Sequence, residues 1–97
     1  MVNGVNAQVP MKLDVATTLV GAKLEGQKVT YRYLLDPSAL TAEQRTAMPA
    51  TVRTNQCAEP SLKTLMSSDY TVQFEYRDAS GTVVEDITSR QSDCDKL

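Results

Sequence analysis

Cys57 and Cys94 are the residues best equipped for chemistry in this 97-residue chain, and no histidine accompanies them. Two thiols cannot close a cysteine-only zinc site, and mixed Cys/His sites are excluded with them. Neither thiol has an imidazole to deprotonate it, as a cysteine protease would need. Three states remain open: a structural disulfide, two unrelated buried thiols, or a redox-active pair. The last lacks the Cys-x-x-Cys spacing that favours it. A Cys57–Cys94 bridge would pin the C-terminus, which otherwise frays. Closing a loop of that length is worth roughly 3–4 kcal/mol on a chain-entropy model. It would also imply an oxidising compartment.

Carboxylates are the only other acid–base groups. Glu85 and Asp86 are neighbours on an expected strand, so they point to opposite faces and do not form a glycosidase pair. Asp93 and Asp95 flank Cys94 and read as a solvated C-terminal turn. The four glycines are isolated, so no phosphate loop is present. No EF-hand pattern occurs either. Tyr31, Tyr33, Tyr70 and Tyr76 form either an aromatic binding face or core and rim residues whose hydroxyls reach water. Arg32, Gln73, Glu75 and Arg77 alternate with those tyrosines and share the opposite face, with cross-strand charge pairs. If that outer face binds a partner, these four are its polar contacts. The expected site is therefore non-catalytic, with no cofactor and no metal.

Composition sets the frame around these residues. Apolar residues make up 41% and charged residues 23%, which is ordinary for a globular domain. There is no tryptophan and one phenylalanine, so Val, Leu, Met, Ala and Tyr must build the core. Net charge is −2, and the ten basic residues are scattered rather than clustered along a phosphate-tracking stretch. Nucleic-acid binding is not expected. No apolar run approaches the ~20 residues that span a bilayer. The Met1-Val2-Asn3-Gly4 start lacks the basic and apolar regions of a secretory signal. The length suits a single domain over residues 1–97, structured from Asn6 to Cys94.

The elements that must position these residues follow from periodicity. Met11, Leu13 and Val15 alternate with polar residues as a short strand, and Leu19 to Leu24 is another candidate. In Lys28 to Leu35, Val29, Tyr31, Tyr33 and Leu35 share one face. Thr41 and Gln44 have capping-box spacing, which predicts a helix from Thr41 to Gln56 with a kink or restart at Pro49. Pro60 suits the first turn of a short helix over Ser61–Ser67, whose Leu62, Leu65 and Met66 make one apolar stripe. Tyr70 to Arg77 and Thr82 to Arg90 read as a hairpin around Asp78-Ala79-Ser80-Gly81. The order ββ-αα-ββ predicts an α+β domain: a four-stranded antiparallel sheet, a kinked helix and a short helix on one face, and one disulfide.

The segment Asn6-Ala7-Gln8-Val9-Pro10-Met11-Lys12-Leu13-Asp14, with Thr17 and Leu19 after it, resembles a motif of small uncharacterised bacterial envelope proteins. Those proteins also carry a Tyr-x-Tyr strand, a cysteine after a helix and a closing Asp-Cys. Tyr31-Arg32-Tyr33, Cys57 and Asp93-Cys94 match these features. Members often have an N-terminal membrane-spanning segment or signal, so the resemblance implies that this chain is an extracytoplasmic or periplasmic part. It supplies no catalytic or binding residue. The expected function is an interaction domain that binds another envelope protein, as a secretion, pilus or conjugation accessory, an immunity protein or an inhibitor. The alternative is a periplasmic module for a small molecule, lipid or peptidoglycan fragment. An exposed edge of the last hairpin would invite strand addition, and the oligomeric state is not written in the pattern.

Overall fold

The computed structural model describes residues 9–97. Asn6, Ala7 and Gln8 of the resemblance motif lie outside the described residues. Alternation along the central strand makes the architecture. Val29, Tyr33 and Leu35 are buried to 6% exposure or less, and Arg32 between them faces water. This strand, β3 (Lys28–Leu35), pairs antiparallel with β2 (Thr17–Glu25), which pairs antiparallel with the two-residue β1 (Met11–Lys12). Gly26 turns β2 into β3 with a φ of 58°, a conformation that side chains with a Cβ rarely adopt.

From Leu35 the chain leaves the sheet through a 3-10 turn, Pro37–Ala39, capped by Asp36. Helix α1 (Ala42–Ala58) follows, then helix α2 (Pro60–Ser67). The predicted capping box is present: Thr41 Oγ1 accepts from the Gln44 amide, and Gln44 Oε1 accepts from the Thr41 amide. Of the two outcomes expected at Pro49, a kink or a restart, the restart does not occur, since α1 is a single helix through it. Pro49 is exposed, so the carbonyl its ring leaves unpaired can bond to water instead. Strands β4 (Thr71–Arg77) and β5 (Val83–Ser89) form the predicted hairpin, and helix α3 (Gln91–Cys94) closes the chain. Cys94 therefore ends a short helix, where the sequence reads a turn.

The sheet also departs from expectation. It has five strands in the order β1-β2-β3-β4-β5, and β3 pairs with β4 in parallel. The four-stranded antiparallel sheet is thus corrected to a five-stranded mixed one. The reason lies in the crossover. Both helices intervene between β3 and β4, and they carry the chain back to the start of β3 before β4 begins. Lys28 consequently registers with Thr71, and Leu34 with Arg77. The predicted Met11–Val15 strand survives only as Met11–Lys12. Beyond it, Leu13 and Asp14 amides both donate to the Thr17 carbonyl, in a tight turn.

Helices α1 and α2 pack on one face only. Val52 of α1 joins Leu19, Tyr33, Leu35, Tyr76 and Ile87 in the main cluster. Leu62 and Met66 of α2 close on Val72 in a second cluster, with Tyr31 and Phe74 packed against both. Gln56 is fully buried, and its amide donates to the Ile87 carbonyl at 3.1 Å. Its oxygen accepts from Ser89 Oγ at 2.7 Å, and Arg53 donates to Ser89 Oγ and to the Thr88 carbonyl. This polar network fastens α1 to the edge strand β5.

Candidate functional site

The cysteines are joined. Cys57 and Cys94 form a disulfide with Cα atoms 5.4 Å apart, tying the end of α1 to α3. The Met66 sulfur lies 3.7 Å from that of Cys94. No free thiol remains, so the bridge is available for structure rather than for nucleophilic work.

Arg32, Gln73, Glu75 and Arg77 are brought together on the uncovered face of the sheet, as their alternation predicts. Arg77 Nε donates to Glu75 Oε1 at 2.7 Å, and Arg32 Nε stands 3.9 Å from the same oxygen. Gln73 accepts from Thr30 Oγ1 and donates to Asp86. The hydrogen bond from Arg77 and the neighbouring positive charges hold the Glu75 carboxyl below its usual range. Asp86 lies on this face, while Glu85 registers with Tyr76 on the other, so the two carboxylates stay apart as read. Asp93 accepts from the Arg90 amide and Asp95 from Gln91, within and just after helix α3 rather than in a turn.

The helical face holds a feature that sequence reasoning missed. Beside α1 runs a groove of about 440 Å³. Its floor is aromatic: Tyr33 and Tyr76 stack with centroids 4.7 Å apart, and Tyr33 and Phe74 meet at 5.1 Å. Its wall is the α1 stripe Gln44, Met48, Thr51 and Asn55, and Asp14 stands at its mouth. Asp14 is held by its turn, where its side chain accepts from the Ala16 amide at 2.8 Å. A second hollow of about 320 Å³ continues the groove past Tyr31, Glu59 and Leu62, sharing Tyr33, Asn55 and Phe74 with the first. Tyr31 stacks on Phe74 at 5.3 Å in that part. The 4-3-4 spacing of Gln44, Met48, Thr51 and Asn55 was readable as one helical stripe. Only Met48 in it is apolar, so the stripe carries no hydrophobic signal.

The site's chemistry is that of a binding surface. Burial, then the charge of Asp14, pushes the Tyr76 phenol up to about 12. Burial also raises Tyr33, and burial with Glu59 raises Tyr31. These hydroxyls stay protonated at neutral pH and serve as hydrogen-bonding groups rather than as bases. Among the described residues, no three His, Cys, Asp or Glu side chains are grouped to hold a metal. No described helix is long and apolar enough to cross a membrane.

No protein-family model matches the chain, and no curated protein matches it in sequence. Solved structures do share its fold. A Pseudomonas aeruginosa protein described as secreted superposes with a TM-score of 0.83 at 10% identity, over 96% of this chain and 85% of that one. The pilotin EpsS of the Vibrio vulnificus type 2 secretion system gives 0.83 at 12% identity, over 96% and 84%. The Vibrio cholerae type II secretion pilotin AspS gives 0.74 at 14% identity, over the same shares. The α+β architecture around the groove is therefore one that type II secretion pilotins also adopt.

Proposed function

We propose that this chain is a non-catalytic, extracytoplasmic accessory domain of a bacterial secretion apparatus. It acts by holding a segment of another envelope protein in the groove beside α1. The carrying observation is the fold shared with two secretion pilotins across 96% of the chain. The disulfide agrees with an oxidising compartment outside the cytoplasm.

The groove defines the chemistry of the partner segment. Its aromatic floor suits apolar side chains, and α1 offers a wall 17 residues long, roughly 25 Å. An amphipathic helix with apolar residues on one stripe fits such a trough. Asp14 lies at one end and Glu59 at the other, so basic residues flanking that stripe would find opposite charges. The outer-face set Arg32, Gln73, Glu75 and Arg77 is a weaker protein-binding candidate, because its charges are already paired within the sheet.

A photocrosslinking residue at Thr51, on the groove wall, should capture one envelope protein in the native host. The same residue at Asp69, beyond the groove, should not. Asn55→Arg should abolish capture from position 51, and the double variant Thr51→Arg with Asn55→Arg should abolish export, with the fold intact in both. Equal capture from both positions, or full export by the double variant, would refute the assignment. The small-molecule reading keeps one supporting observation, the groove's volume with Asp14, Gln44 and Asn55 converging on it. It predicts a ligand that survives purification and appears in native mass spectra.

A further inference from the structure

The disulfide lies where a further thiol can reach it. Neither cysteine is fully buried, and both line a surface hollow of about 370 Å³. Lys63 is the one charged residue around that hollow. Thiol–disulfide exchange needs access to a sulfur and a thiolate to attack it. A neighbouring ammonium favours the thiolate form, both of the sulfur that arrives and of the one that departs. A bridge sealed in a core offers neither feature.

What the bridge holds is small. Helix α3 is a single turn with no buried residue. Its hydrogen bonds stay within residues 90–97. A helix of one turn does not persist unaided. It is held through Cys94, which is bonded to Cys57, touches the Met66 sulfur and packs on the cluster of Leu62, Met66 and Val72. Tyr31 and Phe74, from the groove floor, pack on the same cluster. Tyr31, Phe74 and Leu62 line the second hollow of the groove together with Asn55 and Glu59, and Cys57 is two residues from each of those last two. A continuous run of packed side chains therefore joins the bridge to that end of the groove.

We infer that Cys57–Cys94 is a redox latch on this end of the groove, opened by a dithiol protein and closed again by a protein disulfide. The inference rests on the groove being a binding site, and adds its regulation. A thiolate of the dithiol attacks one sulfur, and the electron pair of the broken S–S bond leaves with the other sulfur as a thiolate. The reductant's second thiol then displaces the first. The two hydrogens of the dithiol end on Cys57 and Cys94, and the reductant is left as a disulfide. Closure is the same exchange in reverse. With the bridge open, α3 leaves Met66, and the junction of α1 and α2 at Glu59 loses its anchor. Asn55, Glu59 and Leu62 then no longer share one fixed geometry, and the groove keeps only its Asp14 end.

The test starts from the full chain under native conditions, with dithiothreitol and reduced thioredoxin as the dithiols. Alkylation and intact mass should show two new thiols with either, formed at a rate proportional to dithiol concentration. Lys63→Gln should slow that step about threefold. In hydrogen exchange, the reduced chain and the Cys57→Ser, Cys94→Ser variant should both lose protection about tenfold or more over residues 55–66 and 91–95, with residues 17–35 and 42–50 unchanged. In the native host, the same double variant should lower capture from position 51 about tenfold. A reduction rate that levels off with dithiol would put the bridge behind global unfolding and overturn the latch. A bridge that thioredoxin leaves intact would overturn it as well. So would protection lost evenly along the chain, since the bridge would then staple the whole fold. Capture equal with and without the bridge would overturn the latch and leave the groove's function standing. No capture even with the bridge would overturn the groove reading itself, and the latch as its regulator with it.

Discussion

At the scale of single residues, the tyrosines show how far a pattern carries. Their alternation with Lys28, Thr30 and Arg32 placed Tyr31 and Tyr33 on the covered face. It gave no sign that they stack with Phe74 and Tyr76 as a groove floor, because stacking depends on which strand lies beside β3. The raised phenols have a consequence at high pH. Tyr76 keeps its proton to about 12 in the folded chain, against 10.0 for a free phenol. Between those values the folded state binds more protons than the unfolded one, so stability falls as pH rises. It is fully present below pH 10, and Tyr33 and Tyr31 act in the same direction. The denaturant midpoint should drop between pH 9 and pH 11, with phenolate absorbance lagging behind that of the unfolded chain. A midpoint constant over that range would contradict the burial of these rings.

Among the elements, helix boundaries and the β4–β5 hairpin were legible because their signals are local. Thr41 and Gln44 announced the start of α1, and Gly81 with a φ of 87° sits in the turn its sequence predicts. Strand direction was not legible. Nothing within β3 or β4 records whether the intervening helices return the chain to the near or the far end of the sheet. The partner of β5 was equally hidden: Gln56 is only the last residue of the predicted helix, and it is fully buried between α1 and that strand. Gln56→Ala should cost about 2–4 kcal/mol, since it leaves both the Ile87 carbonyl and the Ser89 hydroxyl without their partner. A cycle with Ser89→Ala should show coupling of roughly 1 kcal/mol or more. Chemical denaturation measures both, and additive losses would mean that the two side chains do not act together.

For the whole molecule, the helix layer covers one side of the sheet and leaves two surfaces of different character, a grooved side with an aromatic floor and an open side whose charges are paired along the strands. The sequence announced the open side through Arg32, Gln73, Glu75 and Arg77, whose common face is a matter of period two. It concealed the groove, because a trough exists only between elements. The parallel seam also sets the tempo of assembly. Along β3 and β4 each paired residue is 43 positions from its partner, as Thr30 is from Gln73. The two flanking hairpins close over short turns and can form early, whereas the seam must gather a long intervening chain before it gains any contact. Val29→Ala and Val72→Ala, on either side of that seam, should therefore mainly accelerate unfolding, while destabilising changes in the β2–β3 turn should slow folding. Stopped-flow chevrons separate the two cases. A chain that emerges unfolded on the far side of a membrane would thus present two ready-made hairpins first, and its groove, which needs β3 and β4 side by side, last of all.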